Sequence, residues 1–275
     1  LGAQQPDVSP PPSVTNNENE SGGFAFVVPT EFVELPSGGM FYPEGHPLYK
    51  QDTVEIKFMT AKEEDILTSE TLVKKGVVID RLIDNLLVDN RIKASGLLVG
   101  DRNAIVIAAR ISAYGSQYDT IVNCPSCGTE SSNSCNLEEA KHINDYLEED
   151  FMSQEGISFD QERGVFNIPL LKSQASVSLK LLSGRDQKEL SRQNREESAV
   201  TDLLKKIIAS VDGNQDKAMI NNFVNSLPAM DSKHIRRLYA KLIPNVEMKQ
   251  DFVCVYCGHT AELEVPFTAA FFWPE

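Results

Sequence analysis

Hydrophobic and polar positions divide the chain into stretches of different period. Residues 53–59 (TVEIKFM) alternate and put Val54, Ile56 and Phe58 on one face, which predicts a strand. Thr60 with Glu63 three positions on is a capping box, so a helix is expected to open at Ala61. Leu72 and Val73, then Ile79, Leu82, Ile83, Leu86 and Leu87, recur at three and four residues, the helical spacing. Gly100-Asp101 reads as the cap of the next helix, with Ala104, Ile105, Ala108 and Ile111 as its inner stripe. Asn136 with Glu139 predicts a helix over 137–151, its apolar side made of Leu137, Ala140, Ile143, Leu147 and Phe151 and its acidic side solvated. Between 157 and 182 the period falls to two (Ile157/Phe159, Val165, Val177/Leu179/Leu181), which predicts a small antiparallel sheet. Helices return from about 185 to 243, with Leu203, Leu204, Ile207, Ile208 and Val211 on one face, and Pro244 ends that run.

The two ends depart from this pattern. Residues 1–22 hold four prolines and many Gln, Asn, Ser and Glu residues. Such a segment buries too little apolar surface to offset its ordering entropy and is expected to be a flexible tail. Residues 24–50 mix Pro, Gly and aromatics and break at Pro36-Ser37-Gly38-Gly39, which predicts an extended arm lying on another surface. Phe41 and Tyr42 are its candidate contacts with partners. The last residues, from Val265 to Glu275, contain Phe267, Phe271, Phe272 and the chain's one tryptophan, Trp273. So much apolar surface either folds back on the chain or docks into a partner.

The sharpest signal is a repeated turn. Four of the five cysteines stand in Cys124-Pro-Ser-Cys127-Gly128 and Cys254-Val-Tyr-Cys257-Gly258. The glycine after each second cysteine admits φ > 0 and lets backbone N–H groups face sulfur. Strand-like flanks (120–122, 252–253 and 261–265) make each turn the tip of a hairpin. Two tips meeting would supply a tetrahedral four-cysteine site for one structural Zn2+, ligated by Cys124, Cys127, Cys254 and Cys257. The ribbon is then discontinuous in sequence, and residues 137–249 form an insertion whose ends return to one place. A thioredoxin-like redox pair is disfavoured, because it needs a single C-x-x-C at a helix start. Five cysteines and no sign of secretion argue against a disulfide framework. Four thiolates would fill the coordination shell, leaving no open position for catalysis. Cys135 is expected to be a small buried hydrophobe and His259 a surface imidazole.

Composition narrows the function. The chain has 275 residues, 41% of them hydrophobic, so most of it is expected to fold around a core. Its formal charge of −14 opposes binding to phosphate backbones and anionic lipid, and the cysteine hairpins carry a single Lys, Lys249, and no Arg. No apolar run approaches the roughly 20 residues of a membrane-spanning helix. The start, LGAQQPDVSPPPS, lacks the pattern of a signal peptide and begins at Leu1, as in a trimmed chain. The expectation is a soluble intracellular protein. Phosphate-binding glycine loops, nucleophile elbows and metalloprotease motifs do not occur, and Asp101 and Arg102 read as helix-start residues and not as catalysts. No enzymatic activity, small-molecule substrate, nucleic acid or membrane is expected.

Together these residues expect an α+β chain: a tail over 1–22, an extended arm and strand over 23–59, a helical N-terminal unit over 60–115, a discontinuous zinc ribbon from 116–136 plus 250–266, an inserted mixed α/β domain over 137–249, and an aromatic tail over 267–275. The runs LPSGGMFYP, MTAKEEDIL, KKGVVIDRLIDNLLVD, GDRNAIVIAAR, YGSQYDTIVNCPSCG and CVYCG with a terminal FFWP resemble the baseplate-hub family of T4-type contractile-tailed phages. The likeness covers about 30–135 and 250–274; residues 137–249 carry none of its motifs. It implies a structural or assembly component of the baseplate hub, made in the bacterial cytoplasm and placed in the virion tail. Its partners would be other hub and baseplate proteins, met through residues 24–45 and 267–274. The alternative it leaves open is a transient tail-assembly chaperone for the hub or tape-measure protein, absent from the finished virion.

Overall fold

A computed structural model describes residues 27–143, 149–193, 198–247, 249–264 and 269–272. The first element is a strand, β1 (Thr30–Glu34), paired antiparallel with β2 (Thr53–Lys57) so that Val33 faces Val54. The arm is therefore half of a two-stranded sheet and not a free extension. Between the strands the chain turns inward, and Phe41 and Tyr42 lie in the core.

Helix α1 (Ala61–Thr68) opens on the expected box: the Thr60 N–H donates to Glu63 Oε2 at 3.0 Å. A short α2 (Glu70–Lys74) leads to α3 (Val78–Leu86), which buries Val78, Leu82, Ile83 and Leu86. Helix α4 (Val99–Tyr114) is the centre of the fold, buried on more than the one stripe that its pattern predicts.

The cysteine turns sit on two hairpins, β3 (Gln117–Asn123) with β4 (Glu130–Asn136), and β11 (Lys249–Val253) with β12 (Thr260–Glu264). Between them β5 (Lys141–Ile143) pairs antiparallel with β10 (Asn245–Glu247), which brings the two ends of the intervening segment side by side. That pairing displaces the helix expected over 137–151. Asn136 does cap, accepting from the Glu138 N–H at 3.2 Å, but the turn it starts is a single 3-10 turn, Leu137–Glu139. A helix, α5, spans Glu149–Gln154. Leu147 lies outside the described residues.

The alternating stretch folds as predicted into a sheet, β6 (Ser158–Asp160), β7 (Val165–Pro169), β8 (Ser176–Lys180) and β9 (Ile208–Val211), antiparallel throughout. The last of these corrects the reading of a continuous helical region. Helices α6 (Gly184–Gln193) and α7 (Ala199–Ile207) precede β9, and α8 (Lys217–Ser226) and α9 (Ala229–Leu242) follow it. Ile208 and Val211 are paired with Leu179 and Val177, so cross-strand packing of branched side chains outweighs their helical spacing. The chain is thus a mixed α+β fold of helices and several small sheets. Helix α4 ties them together, meeting β1, α3, α6 and β10. One buried cluster runs from Val33 to Phe272 and takes in α4, the β6–β9 sheet and α9. A second, small one holds only Cys124, Phe252 and Cys254, with Val122 and Leu263 against them.

Candidate metal centre

The two cysteine turns have the same backbone. In each, the glycine N–H bonds back to the first cysteine's carbonyl at 2.9 Å (Gly128 to Cys124, Gly258 to Cys254). The first cysteine's N–H bonds forward to the residue after the glycine, Cys124 to Thr129 at 3.0 Å and Cys254 to His259 at 2.9 Å. The glycines take φ of 71° and 68°, the left-handed conformation that a side chain would strain. Local sequence alone therefore builds two equivalent knuckles.

The hairpins are separate two-stranded sheets, set near each other beside the β5–β10 pair, and their knuckles meet. Cys124 Sγ lies 3.7 Å from Cys257 Sγ, and Cys127 Sγ lies 3.7 Å from Cys254 Sγ. All four sulfurs lie within 4.8 Å of one another, with Cys124 and Cys254 buried and Cys127 and Cys257 exposed. Four sulfurs around a metal at the usual bond length of about 2.3 Å would stand about 3.8 Å apart. The donor set and its spacing fit a tetrahedral thiolate-bound ion.

Electrostatics agree with that chemistry. The Thr129 hydroxyl and backbone N–H pull the Cys127 thiol down to about 6. Hydrogen bonds at the knuckle, the Cys257 backbone's foremost, lower Cys254 as well. At Cys257 the His259 backbone acts in the same direction, but partial desolvation and the three neighbouring sulfurs push the thiol up to about 12. Four sulfurs packed this closely resist ionising together, and a divalent cation at their centre removes the resistance. His259 acts on the site through its backbone and not through an imidazole contact, a role that the matching place of Thr129 in the other knuckle makes legible. Cys135 sits at the far end of β4, opposite Tyr118, and belongs to the main core. Burial raises its thiol to about 11, which suits a small hydrophobe and not a fifth ligand.

The other residues singled out by sequence are placed differently. Phe41 and Tyr42 are buried, and the Tyr42 hydroxyl donates to Asp101 Oδ2 at 2.6 Å while accepting from the Leu98 N–H at 3.1 Å. Asp101 is not a cap. Its Oδ1 accepts from the Ser37 N–H at 3.0 Å and its Oδ2 from the Ser37 hydroxyl at 2.7 Å, so the carboxylate pins the arm to α4. Phe271 and Phe272 are buried at the far end of α4, where Arg110 Nε donates to the Phe271 carbonyl at 2.9 Å. Phe267 and Trp273 lie outside the described residues. Around the knuckles the apolar side chains of Ile121, Val253, Val255 and Tyr256 are exposed. Lys249, the one lysine of the two hairpins, faces Glu247 and Glu262. Among the described residues no helix is long and apolar enough to cross a membrane.

A family model described as T4 bacteriophage base plate protein matches residues 28–273. The chain belongs to that family. The match includes the 137–249 segment that carries none of the quoted motifs, and it spans both cysteine knuckles and the buried C-terminal phenylalanines. No curated protein and no solved structure gives a significant match. Membership makes this a T4-type baseplate protein, working beside other proteins of a phage tail baseplate.

Proposed function

We propose that this baseplate protein is a non-enzymatic component of the baseplate hub, held in shape by one zinc ion on Cys124, Cys127, Cys254 and Cys257. The observation that carries the metal is the sulfur spacing of 3.7 Å between residues more than a hundred positions apart. Zinc suits a closed all-thiolate shell better than the harder cations, which prefer oxygen. A structural role is supported by where the buried charges go. Asp101 holds Ser37 and Tyr42, Asp231 accepts from the Lys172 and Ser173 N–H groups, and Arg110 serves backbone carbonyls. Each is committed to holding segments together.

Residues 137–249 are the inserted module of this reading, closed at its neck by β5 and β10. With Phe41, Tyr42, Phe271 and Phe272 engaged inside the chain, the partner contacts narrow to Phe267, Trp273 and the exposed apolar tip of the ribbon. Mass spectrometry of purified virions tests the hub assignment: the protein is expected in mature tails, with about one zinc per chain by elemental analysis. Its absence from finished particles, together with a soluble complex on unassembled hub or tape-measure chains, would replace this reading with that of a transient chaperone.

A further inference from the structure

Away from the cysteines, the N-terminal halves of three helices line one cleft of about 460 Å³. Asp80 comes from α3, Arg102 and Asn103 from α4, and Gln187 and Lys188 from α6. Arg102 Nη2 and Lys188 Nζ both bind Asp80, the lysine at 3.3 Å. Two cations thus face one carboxylate, in a chain whose formal charge is −14. The guanidinium is short of partners. Its Nη1 reaches Gln187 Oε1 only at 3.4 Å, and its Nε is buried with no hydrogen bond.

Val73, Val78, Ile79 and Val106 make one part of the wall aliphatic, and Ser191, Gly76 and Gly184 complete it. Val73 is 46% exposed, so the cleft has an uncovered apolar lip. Gly184 lies where a side chain would collide with Arg102, its notional Cβ only 2.6 Å from Nη1, so the glycine keeps the guanidinium in place.

We propose that this cleft docks an acidic segment of a partner protein, taking an Asp or Glu carboxylate beside Arg102 and Lys188 and a neighbouring aliphatic side chain against the valines. The proposal rests on the assembly role above and names the chemistry of one of its contacts. A peptide is favoured over a small anion because the cleft offers apolar wall and charge together, a combination that free phosphate or acetate would leave half unused.

The test is an amide-resonance titration of the full, metal-loaded chain with acetyl-Val-Glu-Val-amide. Acetyl-Val-Gln-Val-amide, isovalerate and inorganic phosphate are run beside it. The glutamate peptide should shift the amides of Val78, Asn103 and Gly184, and the glutamine peptide should bind about tenfold more weakly for want of charge-assisted hydrogen bonds. Lys188→Gln, at a side chain 29% exposed, should erase most of that preference and leave the fold intact. Arg102→Gln should do the same, and its spectrum reports whether it folds. Equal binding of the two peptides overturns the proposal, as does a preference that survives Lys188→Gln, isovalerate or phosphate binding as tightly as the peptide, or no shift with any probe. The titration does not depend on where the protein ends up: peptide binding by a chain missing from virions would sink the hub assignment alone.

Discussion

A carboxylate with both oxygens turned on the arm ties that segment to α4. Asp101 is fully buried and accepts from Ser37 and Tyr42, 64 and 59 positions away. Replacing it with alanine would leave the Ser37 N–H, the Ser37 hydroxyl and the Tyr42 hydroxyl without this acceptor. We expect Asp101→Ala to cost about 3 kcal/mol in urea unfolding at neutral pH. Burial also pushes the Asp101 carboxyl above its ordinary value of 3.8, against the donors that favour its charge. The folded chain then holds this proton to higher pH than the unfolded chain does, so stability from this group is full below 3.8 and declines as pH climbs through the raised value. The gap between wild type and Asp101→Ala should therefore be widest at acid pH and narrow on the way up; a gap that widens instead would mean the charge is the favoured form. None of this is legible in the sequence. Asp101 stands near a helix start and reads as a cap, because nothing local reveals that its partners come from the arm. The knuckle glycines are legible for the opposite reason, since their φ is set by neighbours within the same turn.

At the scale of elements, local and long-range signals compete. The capping box at Thr60 and the period-two stretch at 157–182 predict what forms, because helix and hairpin there are closed by nearby residues. The segment after Asn136 and the residues 208–211 do not, because β5 and β9 exist through strands far along the chain. The cysteine hairpins show what a weak element needs. Among the described residues their own core is Cys124, Phe252 and Cys254 with Val122 and Leu263 against them, little to hold four strands against chain entropy. In the proposed reading metal binding supplies the difference, since coordination energy is folding energy at such a site. The base of the β3–β4 hairpin is different: Tyr118 and Cys135 sit opposite each other inside the main core. Chelation should therefore raise amide exchange by about tenfold or more over 120–133 and 250–263, while α4 and β7 keep their protection. Unchanged exchange at the tips would show that the hairpins stand without an ion, and general loss would show that the ion supports the whole molecule.

Across the whole molecule, the chain is tied at α4. The arm is fixed at its start through Asp101, β10 packs on its side, and the C-terminal phenylalanines close its other end. The sequence leaves two fates open for those aromatics, folding back or docking outward, because composition shows only that they need cover and not what covers them. Phe271 stacks edge-on against Tyr118 and Phe272, with ring centres 5.1 and 5.5 Å apart. Arg110, itself buried, spans the Phe271 carbonyl and those of Gly115 and Gln117, joining the end of α4, the start of β3 and the C-terminal turn. Removing residues 269–275 would uncover both phenylalanine sites and leave the guanidinium one acceptor short. Each phenylalanine contributes about 1.5–3 kcal/mol by burial, so the truncated chain should lose about 3–6 kcal/mol. That is a large part of the roughly 5–15 kcal/mol that holds a domain together. Urea unfolding of the truncated and full chains measures the loss, and Phe271→Ala should account for about half of it. An unchanged midpoint would mean that Phe271 and Phe272 contribute little to the isolated fold and that their apolar surface matters at a junction with another baseplate protein instead.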